Sequence, residues 1–170
     1  MRTLLVMRHA KSDRTPVEGG DRARPLAPRG RKAAAQMGRF LADAKMVPDL
    51  VLSSPAERAL GTVELAVRAG GWTCPVRPEA ALYEAGPSEI VGLVAATPDA
   101  AERILLAGHE PLGSELVEQL TGGVVRMPTA AVACIAFDVG SWSEIATGQG
   151  VLLWLVTPKL LGADERGRAG

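Results

Sequence analysis

The sequence is poor in the features that mark disulfide-stabilised, metal-binding and membrane-spanning proteins. Its 170 residues include two cysteines, at positions 74 and 134, whose spacing matches no metal-binding motif. No apolar run reaches the ~18 residues of a membrane-spanning helix, and the apolar run near the N-terminus is shorter than a signal-peptide core. These absences predict a protein of the reduced cytoplasmic compartment with no membrane segment.

The chain also lacks net charge, because 19 Lys and Arg residues balance 19 Asp and Glu residues. A neutral total without a basic run interleaved with aromatics argues against nucleic-acid binding. The charge is nevertheless unevenly placed. Residues 1–32 hold nine basic and three acidic residues, whereas residues 79–120 hold eight acidic residues and one arginine. A basic first segment concentrates small anions on one side of a fold.

Histidine occurs only twice, and both copies follow short apolar runs typical of buried strands. The run at 4–7 leads to Arg8 and His9, and the run at 104–107 leads through a glycine to His109. If these strands are parallel, both imidazoles emerge at the edge where open α/β sheets bind ligands. A lone histidine is more often an ordinary surface or core residue. The matching placement of both, beside a guanidinium suited to phosphate, predicts a site.

A third predicted strand, at residues 50–53, leads to another basic side chain. Ser54 and Glu57 match a capping box at the start of the following helix. Arg58 then lies in the first helical turn, where free N–H groups and the helix dipole already favour anions. An ordinary solvated arginine is the alternative interpretation of this residue.

Glu84 stands among small and apolar neighbours in a segment predicted to be a loop. A carboxyl group in such surroundings is a candidate general acid, although its spacing alone does not establish that role.

The order of the predicted elements describes one α/β domain. Strand-like runs alternate with amphipathic stretches, the first of which begins at Pro28. We predict a three-layer αβα domain over residues 1–158, with a mixed, mainly parallel sheet, followed by a flexible tail at 159–170. The long polar connection at residues 11–27 contains three arginines, and we expect it to overhang the site.

Four short motifs occur in a fixed order. They are MRHAKS at 7–12, RPL at 24–26, LYEA at 82–85 and GHEP at 108–111. With Arg58 between the second and third, this order resembles the histidine phosphatase superfamily of phosphoglycerate-mutase-like proteins. Within it, the chain is most similar to the short SixA-like phosphohistidine phosphatase branch. The resemblance implies a phosphoglycerate-mutase-like fold and phosphatase activity.

The resemblance also implies a role for each candidate residue. His9 would be the nucleophile that accepts the phosphoryl group, and Glu84 would protonate the leaving group. Arg8, Arg58 and a protonated His109 would hold the phosphoryl oxygens and stabilise charge in the transition state. No metal or cofactor is implied. The expected substrate is a phosphohistidine on a protein or a small phosphoester, and phosphate is the product.

Three positions depart from the family pattern. Ala10 stands where the broader family has glycine, and Ala27 stands where a Ser or Thr would cap the first helix. Glu110 replaces the more usual asparagine and places a carboxylate beside His109.

Two other functions are compatible with the same residues. His9, His109 and Glu84 are a possible metal-ligand trio by residue type, although neighbouring arginines would repel a cation. A catalytically silent phosphate-binding module is the second alternative. Mutase activity is less favoured, because so short a chain offers little to retain a sugar-like substrate.

Overall fold

A computed structural model describes the backbone of residues 1–167 and the side chains of residues 1–162. Its centre is a six-stranded sheet with the order β3-β2-β4-β1-β5-β6. The strands are β1 (Arg2–Arg8), β2 (Leu50–Ser53), β3 (Val76–Pro78), β4 (Arg103–Gly108), β5 (Val132–Phe137) and β6 (Val151–Val156). The helices are α1 (Pro28–Asp43), α2 (Glu57–Gly70), α3 (Ala81–Glu84), α4 (Pro87–Ala95), α5 (Leu112–Thr121) and α6 (Pro158–Gly167).

The sheet is mixed and mainly parallel, as predicted. Strands β3, β2, β4 and β1 are mutually parallel, while β5 pairs antiparallel with both β1 and β6. The two central strands β1 and β4 are buried on both faces, which explains why they are continuous apolar runs rather than alternating ones.

Alternate residues of the central strands supply two separate cores. Leu4 and Val6 of β1 face a core completed by α4, α5 and Trp142. Leu5 and Met7 face the opposite core, where α1 and α2 pack. Helices therefore cover both faces of the sheet, and the three-layer αβα architecture is confirmed.

Two glycines fix how the elements around β1 approach one another. A Cβ atom at Gly38 of α1 would lie 2.2 Å from the carbonyl oxygen of Ala66 in α2, so the two helices pack backbone to backbone. A Cβ atom at Gly30 would lie 2.1 Å from the carbonyl oxygen of Lys11. The chain leaving β1 is thereby held against the first turn of α1.

The predicted start of α2 is wrong. The helix begins at Glu57 with Ala56 as its N-cap residue, whose methyl side chain accepts no hydrogen bond from the first turn. Ser54 is fully buried, and its hydroxyl oxygen accepts a hydrogen bond from the Ala56 N–H (3.3 Å) instead of capping a first turn. Arg58 nevertheless lies in the first turn, as expected.

Two segments differ in secondary structure from the prediction. Glu84 ends the short helix α3 rather than lying in a loop, because Ala81 to Glu84 make a single helical turn. The predicted flexible tail at 159–170 contains most of α6, whose Leu161 packs against the core shared with α1. Residues 168–170 of that tail lie outside the described residues. The division into a domain at 1–158 and a tail stays a prediction.

Among the residues that the structure describes, no helix combines the length and apolar character needed to cross a membrane. The cytoplasmic location stays a prediction.

Candidate active site

The two histidines meet at the carboxyl edge of the sheet. Arg8 of β1 is paired with Gly108 of β4, so His9 and His109 follow at the same level. The His9 N–H donates to the carbonyl oxygen of Gly108 (2.9 Å), and the two ring centroids are 5.1 Å apart. The prediction that parallel strands bring both imidazoles to one edge is confirmed.

The backbone fixes the tautomer of His9. Its Nδ1 lies 2.7 Å from the carbonyl oxygen of Ala10, and because a carbonyl only accepts, Nδ1 carries the proton. Nε2 then holds a free lone pair. Burial lowers the pKa of His9 to about 4, and the neighbouring His109, Arg58 and Arg8 act in the same direction. At neutral pH His9 is an uncharged imidazole with one nitrogen available for attack.

His109 is held by two side chains from the β2–α2 region. Arg58 Nη2 donates to its Nδ1 (3.3 Å), because a guanidinium has no acceptor. Its Nε2–H then donates to the hydroxyl oxygen of Ser54 (2.7 Å). Burial and the positive charge of Arg58 lower the pKa of His109 to about 4. His109 is therefore neutral in the free protein at neutral pH, whereas the resemblance implied a protonated ring.

Asp21 holds Arg58 in place and was missed by the sequence analysis. Its Oδ2 accepts from Arg58 Nη2 (2.9 Å) and from the Tyr83 hydroxyl (2.9 Å), and its backbone oxygen accepts from Arg58 Nη1 (2.6 Å). Its Oδ1 accepts from Arg24 Nη1 (2.8 Å). The Tyr83 hydroxyl and Arg58 together keep the pKa of Asp21 below its usual value. The connection at 11–27 gives no periodic signal that would have singled this residue out.

Arg8 has an unmet hydrogen-bond donor. Its Nη1 donates to the carbonyl oxygen of Met127 (2.8 Å), but its Nε is buried and has no partner among the described residues. A buried donor without an acceptor is costly, and the oxygen of a bound anion would satisfy it. Arg8 is thus arranged to receive an anionic ligand beside His9.

A cavity of about 170 Å³ connects these groups. It is lined by Arg8, His9, Lys11, Ser12, Arg14, Arg24, Arg58, His109, Glu110 and Thr129. Its single lining carboxylate, Glu110, is bound to the Ser114 N–H (3.1 Å) and hydroxyl at the start of α5. The carboxylate at position 110 is therefore held against the first turn of α5, and the five Lys and Arg side chains of the cavity lining outnumber it. A larger cavity of about 520 Å³ beside α2 contains neither histidine.

Glu84 is not part of this cavity lining. Its side chain is 68% exposed, and its Oε1 accepts from Arg22 Nη2 (3.2 Å). The adjacent Tyr83 is the residue of this helix that contacts the site, since its ring packs edge-on against His109 with centroids 5.4 Å apart. The described residues contain no group of three metal-ligating side chains, so Glu84 does not complete a ligand trio with the histidines.

Residues 4–127 match the model of the histidine phosphatase superfamily (branch 1). The chain belongs to this superfamily. A Mycobacterium tuberculosis (strain H37Rv) relative, "Uncharacterized protein Rv1276c", is 32% identical over 164 residues, covering 90% of this chain and 100% of the relative. "Uncharacterized protein ML1117" of Mycobacterium leprae is 30% identical over 166 residues, with 90% and 100% covered.

Solved structures confirm the phosphoglycerate-mutase-like fold of this histidine phosphatase. The protein histidine phosphatase SixA in complex with tungstate superposes with a TM-score of 0.82 at 24% identity, covering 94% of this chain and 99% of that one. A protein from Nakamurella multipartitia, described as belonging to the phosphohistidine phosphatase SixA type, gives 0.79 at 29% identity, covering 92% and 96%. The chain is a phosphatase of the SixA-like branch.

Proposed function

We propose that this phosphatase hydrolyses phosphohistidine on a protein through a covalent phosphohistidine at His9. The observation that carries the proposal is the hydrogen bond from His9 Nδ1 to the Ala10 carbonyl, which leaves Nε2 as the free nucleophilic nitrogen. Burial keeps this nitrogen unprotonated at neutral pH, so no general base is needed to activate it.

The reaction has two transfers. In the first, the Nε2 lone pair attacks phosphorus in line with the leaving group and the new N–P bond forms. The substrate's P–N bond breaks with its electron pair going to the departing ring, which takes a proton from solvent on its other nitrogen and so leaves as neutral imidazole. In the second, water attacks the phosphorus of phosphorylated His9, the N–P bond breaks with its electron pair returning to Nε2, and inorganic phosphate leaves while one proton of the water returns to solvent. His9 returns to its starting tautomer because the proton stays on Nδ1 throughout, hydrogen-bonded to the Ala10 carbonyl oxygen.

Three cationic or donor groups stabilise the transferred phosphoryl group. The unpartnered Nε of Arg8 donates to one oxygen, and Arg58 supplies a second guanidinium from the start of α2. His109 exchanges its bond to Ser54 for a bond to the phosphoryl group. The approaching dianion raises the pKa of His109, and a proton from solvent then charges the ring at Nδ1. A protonated Nδ1 no longer accepts from Arg58, so this guanidinium donates to the phosphoryl oxygens instead.

Two features favour phosphohistidine over an alkyl phosphoester. The cavity of about 170 Å³ is smaller than the ~300 Å³ at which pockets begin to hold whole drug-sized ligands. It suits a phosphoryl group and one ring whose carrier remains outside. The candidate acid Glu84 is exposed and paired with Arg22. Imidazole departs from phosphorus with less help from an acid than an alkoxide does.

The test is to trap the intermediate and to compare substrates. The enzyme is mixed with a phosphohistidine peptide, an aryl phosphate or an alkyl phosphate in the presence of a chelator and quenched in alkali, where phosphohistidine survives. Mass spectrometry should place phosphate on the peptide containing His9, with the highest kcat/KM for the phosphohistidine peptide. Phosphorylation elsewhere, loss of activity with chelator, or a preference for the alkyl phosphate would refute the proposal.

A further inference from the structure

Two cations that line the active-site cavity have no role in the proposed reaction. They are the half-buried Lys11 and the exposed Arg14, here called the cationic rim, which lie on the connection that leaves β1. Among the described residues, neither forms an ion pair with a carboxylate within 4.0 Å. Arg8 and Arg58 bind the phosphoryl oxygens in the proposed reaction, so Lys11 and Arg14 supply positive charge beyond what that reaction uses.

The carboxylates of the site have other partners. Asp13 accepts hydrogen bonds from the Thr15 N–H (2.9 Å) and hydroxyl (2.7 Å). Asp21 binds Arg58, and Glu110 binds Ser114. Among the described residues, none of these carboxylates forms an ion pair with Lys11 or Arg14, so both cations remain available to pair with a ligand.

The rim cations also repel one another. The pKa of the Lys11 ammonium is lowered, first by the charge of Arg14 and then by partial burial and by Arg29. Like charges held together in the free protein are unfavourable, and an anion bound between them relieves the repulsion. Because the whole chain has no net charge, this is a local concentration rather than a property of the entire surface.

We propose that Lys11 and Arg14 form a docking surface for acidic residues that flank the phosphohistidine of a protein substrate. The proposal rests on the proposed function, and it names the substrate feature that the site recognises outside its cavity. With the phosphoryl group and the imidazole ring in the cavity, as proposed above, the chain that carries them leaves past a lining that includes Lys11 and Arg14. Complementary charge at such a rim acts mainly on association and on partner choice.

The experiment compares three synthetic peptides, each with one histidine phosphorylated by phosphoramidate. The phosphohistidine is flanked by aspartates, by glutamines or by lysines, and kcat/KM is measured at low and high salt. The test variant is Lys11→Gln with Arg14→Gln. The matched control is Arg39→Gln with Arg77→Gln, which removes two exposed cations from α1 and β3, away from the cavity.

The wild type and the control should favour the aspartate peptide over the glutamine peptide by about tenfold at low salt. The preference should fall below about twofold in the test variant and in high salt, because exposed charges are screened. Equal kcat/KM for all peptides in the wild type, or the same loss in the control, would overturn the docking surface.

A second readout separates this proposal from the proposed function. Unphosphorylated versions of the peptides are added as inhibitors of aryl phosphate hydrolysis. The aspartate peptide should inhibit the wild type more strongly than the test variant. If phosphohistidine peptides are not hydrolysed but this difference persists, the proposed substrate fails and the docking surface stands. If they are hydrolysed and the difference is missing, the docking surface fails alone.

Discussion

The ends of strands β1 and β4 each present one histidine to the same cavity, but the two rings are held in different ways. His9 is fixed by the carbonyl oxygen of Ala10, its neighbour in the chain. His109 is fixed by Ser54 and Arg58, which are 55 and 51 residues away in the sequence. The orientation of His9 is a property of one peptide unit, whereas that of His109 depends on the β2–α2 junction.

The difference matches the different tasks proposed for the two rings. A nucleophile that forms and loses a bond to phosphorus must keep one tautomer through both transfers, and a backbone carbonyl never donates a proton. A ring that stabilises incoming negative charge must exchange a partner when the ligand arrives. Side-chain partners such as the Ser54 hydroxyl allow that exchange, because they are able to donate as well as accept.

The largest loss of activity is expected from removing His9, the ring that is fixed by its neighbouring peptide unit. We expect His9→Ala to lower kcat/KM by at least about 10³-fold, because no other group supplies the free imidazole nitrogen. The circular dichroism spectrum should remain that of the wild type, since His9 lies beyond the end of β1 rather than in either core. Turnover near the wild-type value in a folded His9→Ala protein would remove His9 as the nucleophile.

Removing the partner of the second ring should have the next largest effect. Arg58→Ala deletes a charge-assisted contact worth roughly 1.5–3 kcal/mol, so inorganic phosphate should inhibit the variant about 10- to 150-fold more weakly. Arg68→Ala, in the last turn of the same helix, is the matched control, and phosphate should inhibit it as strongly as it inhibits the wild type. Equal inhibition of Arg58→Ala and wild type would mean that the phosphate site lies elsewhere.

The buried neutral state of His9 also predicts a dependence of stability on pH. Its pKa is about 4 in the folded protein and 6.5 in the reference state, so the unfolded chain takes up the proton first as the pH falls. The free energy of unfolding should therefore be constant above pH 6.5 on this account and should decrease between 6.5 and 4.

Urea unfolding of wild type and His9→Gln at pH 8 and pH 5 isolates this contribution. The variant should lose less stability between the two values, because it lacks one of the titrating groups while all carboxylates are shared. The same loss in both proteins would show that His9 is not held neutral by the fold.

The smallest effect is expected at Glu84, the exposed carboxylate that follows Tyr83 in α3. Glu84→Gln should change kcat/KM for a phosphohistidine peptide or an aryl phosphate by less than about threefold, because both leaving groups depart readily. The kcat/KM for an alkyl phosphate is the measurement most sensitive to loss of a general acid. A loss of about 10²-fold there alone would assign the general-acid role to Glu84, and equal losses on all three substrates would withdraw it.

The sequence predicted those parts of the site that depend on strand order and missed those that depend on irregular backbone. Both histidines follow apolar runs, so a parallel sheet was enough to bring them together. Asp21 lies in a short 3₁₀ turn at Gly20–Ala23, where no periodicity marks its direction, although it binds Arg58. Ser54 matched a cap in the sequence, but its hydroxyl is bound to His109 instead.

The C-terminal segment shows a second limit of predicting secondary structure from sequence patterns. Its glycines and charges favoured a tail, yet Pro158 begins a helix whose Leu161 packs on the core beneath α1. A short apolar pair followed by charges carries too little periodic signal to reveal such a helix. Only the surface available on the neighbouring elements decides whether it forms.

The contact between Gly38 and Ala66 has a consequence for local opening of the fold. Because α1 and α2 touch through their backbones, neither helix separates without exposing the other, and their amide protons should exchange in one cooperative event. Phosphate bound at the start of α2 would then slow deuterium uptake in the middle of α1, a helix with no proposed phosphate ligand. Gly30 extends the same unit to the segment after β1, so the amides around Lys11 should become protected together with both helices.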